Sequence, residues 1–229
     1  MEHWPVVRRE VEAGRATCHG ALSPTLLALI RAEGLDGKAV LDVGTGSGRL
    51  ALLLASEAGR VVGIDVDARA IETARRLAHE RRLGHVTFVE ADAEGVDYRP
   101  LGPFDLVVAN LCMSDPIIER TARALPPGAC LAFACFHTEQ WRETGQASRF
   151  AYSPERLEAV LRRAGFEPEH LEVEQEVIRF ASAEEAVQHL AGLRAKWEAS
   201  GRWAAYEAYL AGGGRALTES RLIVKARRR

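Results

Sequence analysis

Long apolar runs, paired cysteines and net charge are all scarce in this chain of 229 residues, and each scarcity removes a class of protein. No apolar stretch approaches the roughly 18 residues of a membrane span, and residues 1–20 carry no apolar targeting core. Neither insertion nor export is expected. The four cysteines, Cys18, Cys112, Cys130 and Cys135, form no CxxC pair and no zinc-like spacing with histidine. They read as reduced thiols of a cytosolic protein, with no metal. Thirty Lys plus Arg against thirty-two Asp plus Glu leave a formal charge of −2, so no global positive field is available for nucleic acid or an anionic membrane.

What is present is ordinary globular composition, 47% hydrophobic and 27% charged, in a length that one domain can bury without disulfides. Residues 1–23 read as a polar cover segment. Ser23-Pro24 supplies an N-cap with proline at the first helical position, and Leu26, Leu27 and Ile30 continue a helix over 24–33. Apolar runs ending at Val43, at 61–64, 86–89, 104–109 and 129–136 then alternate with amphipathic stretches, including 68–83, which Asp67 caps, and the helix from Ser153-Pro154 to Gly165. Strand and helix in alternation imply an α/β, doubly wound, mostly parallel sheet with helices on both faces. Residues 169–179 alternate like an exposed strand, Ser182 to Glu185 is a capping box opening a helical insertion or lid over 182–211, and 221–226 is the last strand. No linker divides the chain, so a single domain over 1–229 is expected, its core at 24–180.

The chemistry concentrates between the first core strand and the following helix, in Asp42-Val43-Gly44-Thr45-Gly46-Ser47-Gly48-Arg49. Position 49, where a dinucleotide fingerprint needs its third glycine, is Arg. Asp42 would repel a pyrophosphate but attract an ammonium or sulfonium, so the ligand is expected to be cationic. The next strand ends at Asp65, where a carboxylate can accept from a ribose diol, and Val66 can pack on an adenine face. The third ends near Asp92, placed to accept from an exocyclic amine.

With these residues in place the sequence resembles the class I S-adenosylmethionine-dependent methyltransferases, the seven-stranded Rossmann-like family, over about 24–180 and the final strand. LDVGTGSG at 41–48 is similar to the family's glycine motif, Asp65 to its ribose acid, Asp92-Ala93 to its adenine pair and FDLVVANL at 104–111 to its fourth-strand motif. The resemblance implies strand order 3-2-1-4-5-7-6 with the last strand antiparallel, and S-adenosylmethionine as cofactor. Its contacts would be Asp42, Gly44, Thr45, Gly46, Gly48, Asp65, Val66, Asp92, Ala93, Asn110 and Leu111, the last two mainly through backbone. Asn110-Leu-Cys-Met113 departs from the Asn-Pro-Pro-aromatic motif of enzymes that methylate nucleobases and Gln side chains, and the chain is more similar to the small-molecule branch that includes ubiquinone, menaquinone and biotin-pathway enzymes.

Methyl transfer needs alignment above all, with a base only where the acceptor must lose a proton. His137, directly after the fifth core strand, is the candidate base; His19 is a lesser one. Cys112 reads as a small buried hydrophobe rather than a nucleophile. Trp197, Trp203, Tyr206 and Tyr209 either anchor the 182–211 helices or wall a substrate pocket. The alternatives kept open are an RNA or protein methyltransferase and a non-catalytic cofactor-binding scaffold. Oligomeric state is not determined.

Overall fold

The computed structural model describes residues 4–15 and 20–229, so Cys18 and His19 lie outside the described residues. The chain begins with a strand, β1 (Val6–Glu12), followed by α1 (Pro24–Arg31), whose Ser23 cap accepts the Leu26 N–H at 3.2 Å. Next come β2 (Ala39–Val43), α2 (Arg49–Leu54), β3 (Arg60–Asp65), α3 (Ala68–Glu80) and β4 (Val86–Glu90). Asp67 caps α3 through the amides of Arg69 and Ala70, as its position before the amphipathic run leads one to expect. They are followed by β5 (Leu106–Asn110), α4 (Asp115–Ala124), β6 (Cys130–Phe136), α5 (Pro154–Arg163) and β7 (Phe166–Arg179). The chain closes with α6 (Ala183–His189), α7 (Arg194–Ala199), α8 (Arg202–Ala211) and β8 (Ala216–Arg228).

The strands form one sheet of eight, in the order β1-β7-β8-β6-β5-β2-β3-β4. This corrects the expected seven. The additional strand is β1, which lies at the sheet edge and runs parallel to β7, with Val6 opposite Val173 and Glu12 opposite Arg179. Its polar, mixed-charge sequence reads as a loose segment because an edge strand has no apolar face to advertise. Beside it, β7 is largely buried rather than exposed: Glu172 and Glu176 are buried despite their charge, and Arg221 binds Glu174 at 2.8 Å. Alternation suggests one watered face, but the partners that cover β7 come from distant sequence.

The last strand is also longer than the expected 221–226 and runs opposite to β6: Arg228 bonds Ala129 at one end, and His137 bonds Ser220 at the other. No helix among the described residues is long and apolar enough to cross a membrane.

Contacts gather into two compact units, one of residues 22–135, 155–171 and 223–229, the other of 1–21, 136–154 and 172–222. The first holds β2, β3, β4, β5 and nearly all of β6, with a core of Leu26, Ile30, Val40, Leu54, Val61, Ile71 and Val108. The second has its own core, in which Trp141, Phe180, Trp197, Trp203, Tyr206 and Leu217 meet. Trp197 stands edge-on to Trp141 at 5.1 Å and to Tyr206 at 5.7 Å. The aromatics of the 182–211 stretch therefore anchor its helices within this unit. Tyr206 also donates to the Ala216 carbonyl at 3.0 Å.

Candidate functional site

In an open parallel sheet the binding crevice opens at the carboxyl ends of the strands, where the connections diverge to opposite sides. Here that point falls between β2 and β5, which are neighbours in the sheet although β3 and β4 intervene in sequence. The loop after β2, residues 44–48, and Asn110 at the end of β5 meet there.

The loop is held in shape by its own backbone and by two acids. Thr45 donates its N–H to the Ile64 carbonyl at 2.9 Å, and the Gly46 N–H donates to Asp65 Oδ2 at 2.8 Å. The other Asp65 oxygen accepts the Asp67 N–H at 2.9 Å, so a single carboxylate ties the end of β3 to the glycine loop. Each of its oxygens keeps a lone-pair direction for a further donor.

Asp42 lies beneath the loop, 1% exposed. Its Oδ2 accepts from the Thr45 hydroxyl at 2.6 Å and from the Ala51 N–H at 3.1 Å, so it satisfies an otherwise orphan donor in the first turn of α2. Burial pushes its carboxyl up from the usual 3.8 to about 7, against the opposing pull of those two bonds. An acid so buried is receptive to a cation, which would restore its charged form.

The three glycines serve different ends. All have left-handed φ, at 68°, 55° and 84°. A Cβ on Gly44 would collide with the Cys112 side chain, and one on Gly48 would collide with the Phe88 ring and crowd Ala74. Gly46 alone faces open space, with no heavy atom within 4 Å of where its Cβ would be. Gly48 therefore makes room for packing and not for a ligand, while Gly46 marks the open wall.

That wall belongs to a cavity of about 280 Å³ lined by Asp42, Gly44, Thr45, Gly46 and Asn110 from the expected set, together with Leu22, Ser47, Arg49 and Leu50. Leu22 precedes α1 and carries no sequence signal for this place. Asn110 Oδ1 is buried there without a hydrogen-bond partner among the described residues. A buried acceptor left bare costs about 1–3 kcal/mol, so it points to a donor that arrives with a ligand. The resemblance implies mainly backbone contact at Asn110; its buried side-chain oxygen is the stronger feature.

The remaining expected residues lie outside that lining. Val66 is 71% exposed, an apolar side chain next to Asp65 with nothing over it. Asp92 is exposed and accepts the Glu94 N–H at 2.9 Å, and the Ala93 carbonyl accepts from Tyr98 at 2.7 Å. Leu111, at φ 60°, turns its side chain toward the apolar core and donates its N–H to Ala134. His137 lies in the other compact unit, its Nδ1 2.8 Å from Ser220 Oγ. Cys112 is largely buried, which pushes its thiol up to about 11 and removes it as a nucleophile at neutral pH.

Residues 40–128 match the family model of the methyltransferase domain. Over 102 residues the chain is 41% identical to the ribosomal protein L11 methyltransferase of Burkholderia multivorans, a stretch covering 43% of this chain and 32% of that protein. The chain thus spans about a third of the length of the curated relative it matches. Among solved structures, the [4+2]-cyclase SpnF is 27% identical with a TM-score of 0.64, covering 94% of this chain and 84% of that one. The Haemonchus contortus phosphoethanolamine N-methyltransferase 2 in complex with S-adenosyl-L-methionine shares the fold at 20% identity and a TM-score of 0.59, over 89% of this chain and 52% of that one.

Proposed function

We propose that this chain, whose residues 40–128 form a methyltransferase domain of the class I Rossmann-like kind, is an S-adenosylmethionine-dependent methyltransferase acting on a small molecule. The observation that carries the reading is the cavity in which the open face of Gly46, the buried Asp42 and the bare Asn110 Oδ1 converge. Two acceptors and a backbone wall suit an ammonium-bearing ligand, Asp65 suits vicinal hydroxyls, and the exposed Val66 suits an aromatic base. The residues present fit the cofactor.

When bound, that cofactor supplies a methyl group on a positively charged sulfur. The chain's task is to hold it: Asp42 and Asn110 take the amino-acid end, Asp65 the ribose, and Val66 with Asp92 and Ala93 the adenine. Alignment and exclusion of water then carry the rate. Where the acceptor must lose a proton, we assign the base to His137, whose ring is fixed through Ser220.

The small-molecule acceptor rests on the absence of a net positive charge and on Asn110-Leu-Cys-Met113 in place of an Asn-Pro-Pro-aromatic motif. A cytosolic, reducing setting belongs to the same reading, since Cys112, Cys130 and Cys135 are free thiols. The name of the Burkholderia relative favours a second reading, a protein acceptor, and that of SpnF a third, a chain of this fold that serves a cyclisation. Calorimetry with S-adenosylmethionine and S-adenosylhomocysteine comes first: no heat with either from folded protein sinks the proposal. Production of S-adenosylhomocysteine from a metabolite extract, but not from ribosomal protein or RNA, supports the small-molecule acceptor. Binding without turnover in any extract favours the third reading.

A further inference from the structure

The two open edges of the sheet are finished differently. In β4 the even-numbered residues turn their amide groups away from β3, because His85 and Ala91 make the inward bonds. The outward carbonyl of Phe88 is taken by Arg75, whose Nε and Nη2 donate to it at 3.0 and 2.8 Å. A side chain that occupies an edge carbonyl blunts that edge against pairing.

The opposite edge, β1, has no such cap among the described residues. Val173 donates to the Pro5 carbonyl, and Val6 lies opposite Val173, so in a parallel ladder the odd residues of β1 face β7. The even residues Val6, Arg8, Glu10 and Glu12 turn their N–H and C=O groups outward. Val6 and Val7 are 58% and 39% exposed, two of the three large apolar side chains exposed among the described residues.

We propose that β1 is a self-association edge, pairing antiparallel with β1 of a second copy of this chain. The direction and register follow from the strand itself. Outward amides sit on even residues, so an antiparallel partner must bring even against even. Of the three central registers that satisfy this, placing Arg8 on the two-fold axis opposes arginine to arginine, and placing Glu10 there sets Arg8 against Glu12 twice but opposes glutamate to glutamate and Arg9 to Val11, leaving no apolar pair within the strand. The register with Arg9 on the axis puts Arg8 against Glu10 of the other copy twice and Val7 against Val11 twice, with one Arg9 pair as its cost. The strand is thus complementary to itself in charge and in apolar pairing together only about Arg9. Within one copy, Glu10 lies 3.9 Å from Arg8 and accepts from Arg179 of β7 at 3.3 Å, with all three side chains about half exposed, so these contacts carry little energy and Arg8 can re-pair with Glu10 of the other copy.

About eight backbone hydrogen bonds would join the copies, across a contact at the small end of specific interfaces. The association is therefore weak and concentration-dependent. It stands apart from the proposed activity, since β1 carries none of the residues placed at the cofactor cavity.

Sedimentation of the full chain over about 1 to 500 μM is the test, the range being set by an interface of this size. The expected result is a monomer–dimer equilibrium that Arg8→Pro abolishes. That proline removes an outward N–H without touching the bonds to β7, and circular dichroism checks that the fold persists. If Arg8→Pro fails to fold, the charge variants decide: Glu10→Arg should weaken the dimer at least tenfold, and Glu10→Arg combined with Arg8→Glu should restore it. Arg9→Cys should cross-link copies under mild oxidation, since facing residues of a non-hydrogen-bonded pair lie within disulfide reach, whereas Arg8→Cys and the parent protein should not. A monomer throughout the range overturns the proposal, as does a dimer indifferent to these substitutions or a monomer whose edge takes up an extended peptide of another protein instead.

Discussion

Asp65 accepts the backbone N–H of Gly46 at 2.8 Å across 19 residues of chain, so the acid at the end of β3 shapes the loop after β2. Asp65→Ala therefore removes the lock on the loop and, in the proposed function, the acceptor for the ribose hydroxyls. The expected loss of cofactor affinity is about 1–3 kcal/mol, read by calorimetry. Asp65→Asn, which keeps one acceptor oxygen, should lose less; equal losses for both would point to charge and not to hydrogen bonding.

The division of labour among the glycines separates binding from folding. Gly48→Ala drives a methyl into Phe88 and Ala74 and should lower the melting temperature sharply, with little folded protein left to assay. Gly46→Ala meets no protein atom, so it pays only the left-handed strain of about 1 kcal/mol while its methyl projects into open space. Its signature is a modest thermal shift with a large fall in cofactor affinity. The opposite ranking would remove Gly46 from the site.

Two carboxyls should give the unliganded protein opposite pH dependences. Asp42 has its folded value raised to about 7 from 3.8, so the native state holds its proton more firmly than the unfolded chain does. Its contribution is present below about 4 and is lost as pH rises through 7. Glu33 is held near 2 from 4.5, chiefly by its hydrogen bond to Arg227, and contributes above 4.5 and fades as pH falls toward 2. Denaturation curves should show Asp42→Asn flattening the neutral limb and Glu33→Gln the acid limb. Cofactor affinity should rise with pH through about 7 in the parent protein and not in Asp42→Asn, because the cation prefers the ionised acid.

Trp197 is 1% exposed and sits among Trp141, Trp203 and Tyr206. Trp197→Ala should destabilise the protein by about 3–5 kcal/mol, the range for emptying a large aromatic site. If these helices instead served mainly as a substrate wall, the variant would keep its stability and lose affinity for the acceptor, which paired melting and kinetic measurements distinguish.

The sequence by itself determined what depends on near neighbours in the chain. Alternating apolar strands and amphipathic helices dictate a doubly wound sheet, Ser23 and Asp67 announce their helices, and glycines at 44, 46 and 48 beside Asp42 announce a loop for a ligand other than a dinucleotide. Tertiary structure decided whatever depends on who lies opposite. Gly44, Gly46 and Gly48 look alike in sequence and part company only because Cys112, empty space and Phe88 face them. Asn110 becomes a bare buried acceptor, and β7 a buried strand, through partners far away in the chain. Residues 6–12 lack any apolar periodicity, since an edge strand is held by backbone hydrogen bonds on one side, and those bonds to β7 leave no trace in side-chain pattern.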